Sequence, residues 1–176
     1  MRAAAPALLL LAALLTACAS RAPEVDDDAQ DAGRAQRRAS IEQPPDQPLF
    51  RGNRDQIVMT AFAQVGKPYV YGGNGPESFD CSGLVRYAYA AGGAKTPRTT
   101  ASLFSSGRAI TLDQAEPGDL LFYQLDPARN APSHVVFYLG DGEGIHAPST
   151  GGSIRIVHTS IPYFSQRFSG ARRLIE

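Results

Sequence analysis

Cysteine is almost missing from this 176-residue chain, which has only Cys18 and Cys81. Two thiols close at most one bridge, which excludes a disulfide-stapled scaffold. Histidine is nearly as sparse, with His134, His146 and His158, and these lack the close pairs typical of structural zinc sites. The longest apolar run, from about Ala3 to Ala17, holds about fifteen residues, too few to span a bilayer comfortably. No charge sign dominates, with 17 basic residues against 17 acidic ones. There is no basic block interleaved with aromatics, so nucleic acid is not an expected partner. The glycines at 72, 73 and 75 lack the Gly-Lys-Ser/Thr ending of a phosphate loop.

The N-terminus is informative in a positive way. Arg2, the short apolar run and the small residues before Cys18 describe a secretory signal over residues 1–17. Leu15-Thr16-Ala17-Cys18 resembles a bacterial lipobox, in which the cysteine is lipidated and becomes the first mature residue. Acyl chains on Cys18 hold a protein at a membrane without a spanning helix. Ala19 in place of aspartate implies, by resemblance to bacterial sorting rules, the periplasmic face of a Gram-negative outer membrane. The competing reading is an ordinary signal peptide with a coincidental cysteine.

Residues 18–50 read as the lipid-bearing cysteine and a disordered linker. From Ala19 on they carry seven acids, four arginines, Pro44-Pro45 and Pro48, with almost no large apolar side chains. Residues 51–176 suit one domain, with twelve basic and ten acidic side chains and no internal repeat.

Helical spacing of Ile57, Val58, Ala61, Phe62 and Val65 predicts a first helix over about 53–65, stopped by Gly66. Cys81 to Ala91 reads as a short buried helix capped by Asp80, and a shorter helix is expected over 99–106 with Thr99 as cap. Strands follow over 119–125, 134–139, 144–148, 154–158 and 171–175. Helices first and short strands afterwards predict an α+β fold with a five- to six-stranded antiparallel sheet.

If Cys18 carries lipid, Cys81 is a lone thiol in an oxidising compartment. Catalysis and simple burial both explain such a residue. A thiol at a helix N-terminus faces unpaired N–H groups and the positive end of the helix dipole, which favour the nucleophilic thiolate. A cysteine nucleophile also needs a base and a group to orient that base. His134 and His146 sit on adjacent predicted strands, whereas His158 reads as an ordinary surface residue. A Cys/His/His zinc site is the alternative for these side chains.

Register decides whether the two imidazoles can meet. A plain two-residue turn at Asp141-Gly142 sets His146 opposite Phe137, on the face away from His134. An odd-length turn or a bulge sets it opposite Val136, on the same face. Cooperation between the histidines therefore predicts such a turn or bulge around Gly142.

Five segments in order resemble the NlpC family of bacterial cell-wall cysteine peptidases. They are Gly66 to Gly73, Asp80 to Val85, Pro117 to Phe122, Ser133 to Gly140, and Ile145 to Pro148. The resemblance implies a compact papain-like fold and a cysteine endopeptidase that hydrolyses peptidoglycan stem peptides, often between D-glutamate and a diamino acid. It makes Cys81 the nucleophile, His134 the general base and acid, and His146 the orienting residue. Tyr69, Asp80 and Ser82 become substrate-binding residues. No metal or organic cofactor is implied, and a monomer suffices. Two alternatives remain: an amidase or acyltransferase on another substrate, and a non-catalytic lipoprotein that binds wall peptides. Two departures stand out. Val136 replaces a common family glycine, which is expected to narrow the site, and no separate wall-binding domain is apparent, leaving the lipid to supply proximity to the wall.

Overall fold

The computed structural model describes residues 50–149 and 151–176. The signal peptide, Cys18 and all of the linker except Phe50 lie outside the described residues. The Phe50 N–H donates to the Leu174 carbonyl at 2.6 Å, and Phe50 bridges Ile175.

Helix α1 (Arg54–Phe62) begins where the Asn53 side chain accepts the Gln56 N–H, and buries Ile57 and Ala61. Helix α2 (Cys81–Ala91) starts at Asp80, whose carboxylate accepts the Gly83 N–H at 2.7 Å. Its Leu84, Val85, Ala88 and Tyr89 are buried, and each large apolar side chain of this kind stabilises by about 1.5–3 kcal/mol. Helix α3 (Thr100–Phe104) is capped by Thr99, as its sequence indicates.

Six strands form one antiparallel sheet: β1 (Arg108–Ile110), β2 (Leu120–Tyr123), β3 (His134–Gly140), β4 (Glu143–His146), β5 (Arg155–His158) and β6 (Phe168–Arg173). Their spatial order is β1-β6-β2-β3-β4-β5. A short helix α4 (Pro162–Ser165) links β5 to β6. The α+β expectation holds. The sequence reading has no strand at 108–110 and places the last strand several residues too late.

Strand alternation divides the core. Leu120, Phe122, Val135, Phe137 and Ile145 join the cluster built on α1 and α2. Leu121, Tyr123, Val136, Tyr138 and Ala171 join Phe164 of α4 in a second cluster. Val136 is therefore fully buried and does not line the cleft described below, so it does not narrow the site. Its side chain fills space that exists because Gly144 on the paired strand has no Cβ.

The Pro117-Gly118-Asp119 segment anchors the sheet. Asp119 is fully buried and accepts three hydrogen bonds from Arg173, from Nε at 3.0 Å to Oδ1 and 3.2 Å to Oδ2 and from Nη2 at 2.7 Å to Oδ2, and also the Glu116 N–H at 2.8 Å. A buried carboxylate persists only when paired and hydrogen-bonded in this way. The bonds tie β6 to the start of β2, and β2 in turn registers β3, with Tyr123 opposite His134.

Candidate active site

Cys81 is the first residue of α2, and its N–H donates to nothing among the described residues. Asp80 aims the helix end: besides Gly83 it accepts the Gly72 N–H at 3.0 Å, and its own N–H donates to the Gly73 carbonyl at 3.0 Å. The glycine loop is thereby clamped over the start of the helix. The Thr100 hydroxyl lies 3.6 Å from Cys81 Sγ, bringing α3 to the same point.

His134 opens β3, where the Ser133 N–H donates to the Tyr123 carbonyl and the Ser133 hydroxyl caps the N–H groups of Leu125 and Asp126. His146 ends β4. Phe137 pairs with Ile145 and Tyr138 with Gly144, so His146 stands opposite Val136, on the face that carries His134. The required shift is present, although not at the glycine expected from sequence. Asp141 and Gly142 form a two-residue turn with positive φ at both positions, and the extra residue is Leu139, bulged between Tyr138 and Gly140.

The result is a hydrogen bond of 3.0 Å between His134 Nε2 and His146 Nδ1. Both rings are buried, at 4% exposure each. Phe164 packs edge-on against His146 with centroids 5.5 Å apart. If His134 Nε2 donates to His146 Nδ1, the lone pair of His134 Nδ1 is left to accept a proton, and His146 carries its own proton on Nε2, which is buried without a partner.

Burial pushes the basicity of His134 well below the ordinary 6.5, with His146 adding to the effect. Burial also lowers His146, followed by the charge of Arg155. Both rings are neutral at neutral pH. Burial likewise pushes the Cys81 thiol up. Asp80 adds to this, and the Thr100 hydroxyl and the Val135 and Ser82 N–H groups oppose it without reversing it. The direction is opposite to the one expected from the helix end alone, and burial is its largest cause. The thiol and both imidazoles rest uncharged in one cleft, so the nucleophile needs a base.

These side chains share one cleft of about 970 Å³, which also takes in Tyr69, Tyr71, Asp80, Ser82, Arg98, Asp126, Arg129, Arg155 and Tyr163. Burial raises the Tyr69 phenol, followed by the neighbouring Cys81, so it stays a hydroxyl donor. Asp80 and Ser82 are buried and bonded to Arg98. His158 is apart from the cleft, 3.8 Å from Glu143. No group of three or more metal-ligating side chains occurs among the described residues. Sequence reasoning missed Arg98, Thr100 and Arg155. The Thr99 cap locates Thr100 one residue on, but nothing in the pattern aims Thr100 at the thiol.

The profile of the NlpC/P60 family matches residues 66–173. The probable endopeptidase YafL of Escherichia coli is 44% identical over 116 residues, 64% of this chain and 46% of that protein. A gamma-D-glutamyl-L-lysine dipeptidyl-peptidase of Bacillus cereus is 31% identical, over 69% of this chain and 36% of its own length. The chain thus spans less than half the length of either relative. The crystal structure of an NlpC/P60 family protein from Bacillus cereus superposes with a TM-score of 0.66 at 30% identity, covering 76% of this chain and 43% of that one.

Proposed function

The chain belongs to the NlpC/P60 family, and on that premise we propose that it is a cysteine peptidase of the bacterial cell wall that hydrolyses peptidoglycan stem peptides. The observation that carries this reading is the hydrogen-bonded His134–His146 pair in the same cleft as a thiol at the start of a buried helix. In this reading Cys81 attacks the scissile carbonyl while His134 Nδ1 takes its proton. His146 orients His134 through the 3.0 Å bond. The unpartnered N–H of Cys81 helps hold the oxyanion. His134 then protonates the leaving amine, and water hydrolyses the thioester.

The scissile bond in this proposal joins D-glutamate to diaminopimelate. Tyr69 contributes a hydroxyl donor to the bound peptide, and Asp80 and Ser82 shape the wall beside the thiol. Lipid on Cys18 would tether the enzyme at the outer membrane within reach of the wall.

The test is mass spectrometry of purified muropeptides incubated with the full chain, beside Cys81→Ala. New fragments split after D-glutamate, absent with the variant, are expected. Equal turnover by the variant would remove Cys81 from the mechanism, and an intact stem peptide with a folded wild type would remove the substrate.

A further inference from the structure

Large apolar side chains stand in solvent on the histidine side of the cleft. Ile161 and Tyr163 are 44% and 51% exposed, and both line the cleft together with Val157 and Pro148. Exposed apolar residues scattered singly are ordinary. These two are grouped and held. Pro162 follows Ile161 at the first position of α4, where its fixed φ suits the helix. Phe164 is buried and packs on His146 with centroids 5.5 Å apart, which pins the short helix to the sheet. The Arg167 guanidinium lies 5.0 Å over the Tyr163 ring and donates to the Tyr163 carbonyl at 3.0 Å. Phe164 meets the same ring edge-on at 5.1 Å. The rim is thus an ordered apolar surface that continues the cleft wall.

Its place relative to the thiol follows from the rings. The start of α2 carries Asp80, with Arg98 bonded to it and Tyr69 nearby, whereas α4 stands behind His146. His134 gives its proton to the leaving amine in the mechanism above, so the histidine side takes the released part of the peptide. Ring centroids step from His134 to His146 at 5.2 Å, to Phe164 at 5.5 Å and to Tyr163 at 5.1 Å. An extended chain advances about 3.3–3.6 Å per residue. A peptide running from the thiol past the histidines therefore places its first released residue short of α4, and a later one against it.

We propose that Ile161 and Tyr163, with Val157, form a subsite for an apolar side chain on the released part of the peptide, beyond the residue whose amine departs. This rests on the peptidase reading above and adds a specificity determinant to it. The wall offers carbon surface, so selection grows with the apolar area of the side chain that covers it.

The experiment uses the full chain and three synthetic peptides, alanyl-γ-D-glutamyl-diaminopimelate extended by glycinamide, D-alaninamide or D-leucinamide. The three share one length and one charge and differ only in the last side chain. With the wild type, kcat/KM should rise about fourfold from glycine to D-alanine, the effect of one buried methyl group, and at least about tenfold from glycine to D-leucine. Ile161→Ser combined with Tyr163→Ser should bring the three values within about twofold of one another. Tyr163→Phe keeps the ring and should retain the series. Leu112→Ser, at an exposed apolar residue outside the cleft, should retain it too. Each ratio is internal to one variant, so a change in overall rate does not enter. Equal cleavage of the three peptides by the wild type overturns the subsite. A series that survives the double substitution, or that is also lost in Leu112→Ser, overturns the role of α4. Failure of the folded wild type to cleave any of the three overturns the peptidase reading itself, and the proposal with it.

Discussion

Gly83 is the third residue of a buried helix, a place where alanine ordinarily wins. Helix propensity favours alanine over glycine by about 1 kcal/mol. Here a Cβ would overlap the Gly73 carbonyl oxygen and come within 3.0 Å of both the Gly73 carbonyl carbon and Asp80 Oδ1. The obstacle is backbone, which cannot rotate away as a side-chain tip can. The glycine loop must lift off the helix end, which strains or breaks the Asp80 N–H bond to Gly73 and the Gly72 N–H bond to Asp80, both 3.0 Å. Two hydrogen bonds at about 1 kcal/mol each, plus about 1–3 kcal/mol for overpacking, outweigh the propensity gain. Gly83→Ala should therefore be destabilised by about 2–4 kcal/mol. The internal comparison is Ala90→Gly at an exposed position of the same helix, which should cost about 1 kcal/mol through propensity alone. Urea unfolding with a fixed m-value measures both. Cleavage should also fall in Gly83→Ala, because the loop that moves is the one clamped beside Cys81. If Gly83→Ala is as stable as the wild type, the loop yields freely and does not hold the nucleophile in place.

Two further outcomes follow from the protonation states. The pH profile of Cys81 alkylation by iodoacetamide should show its inflection above the ordinary thiol value of about 8.5, and Thr100→Val should move it higher, because the Thr100 hydroxyl pulls the thiol down; an inflection near pH 7 would refute the dominance of burial. Acid should also unfold the protein through the histidine pair. Both histidines titrate lower folded than unfolded, so their contribution is complete above about pH 6.5. It drains as pH falls toward the folded values, by roughly 1.4 kcal/mol per pH unit for each ring that stays neutral. His146→Gln, followed by urea midpoints between about pH 7 and pH 4.5, should show a shallower acid limb, and an unchanged slope would show that burial does not hold His146 neutral.

What the sequence made legible tracks how locally each feature is determined. Asp80 as the cap of α2 and Thr99 as the cap of α3 depend on a side chain and an N–H three residues on, and both were readable. The requirement for a register shift was readable too, because strand alternation leaves only two faces. Its position was not. Leu139 is an apolar residue in an apolar strand, while three residues with positive φ draw attention to the adjoining turn. Strand β1 escaped for a related reason: Arg-Ala-Ile with two exposed positions carries no pattern, and it becomes a strand by pairing with β6. The thiol fails in the same way at the level of charge. The helix end is visible in one dimension, but the thiol's burial and its contacts with Thr100 and Val135 of β3 bring in distant parts of the chain. Arg98 and Arg155 are the extreme case. One meets Asp80 across 18 residues, and the other reaches His146 only through the β4–β5 register. An arginine read in sequence is a solvated charge by default, so the residues that set the charge of this cleft are those a sequence reading passes over.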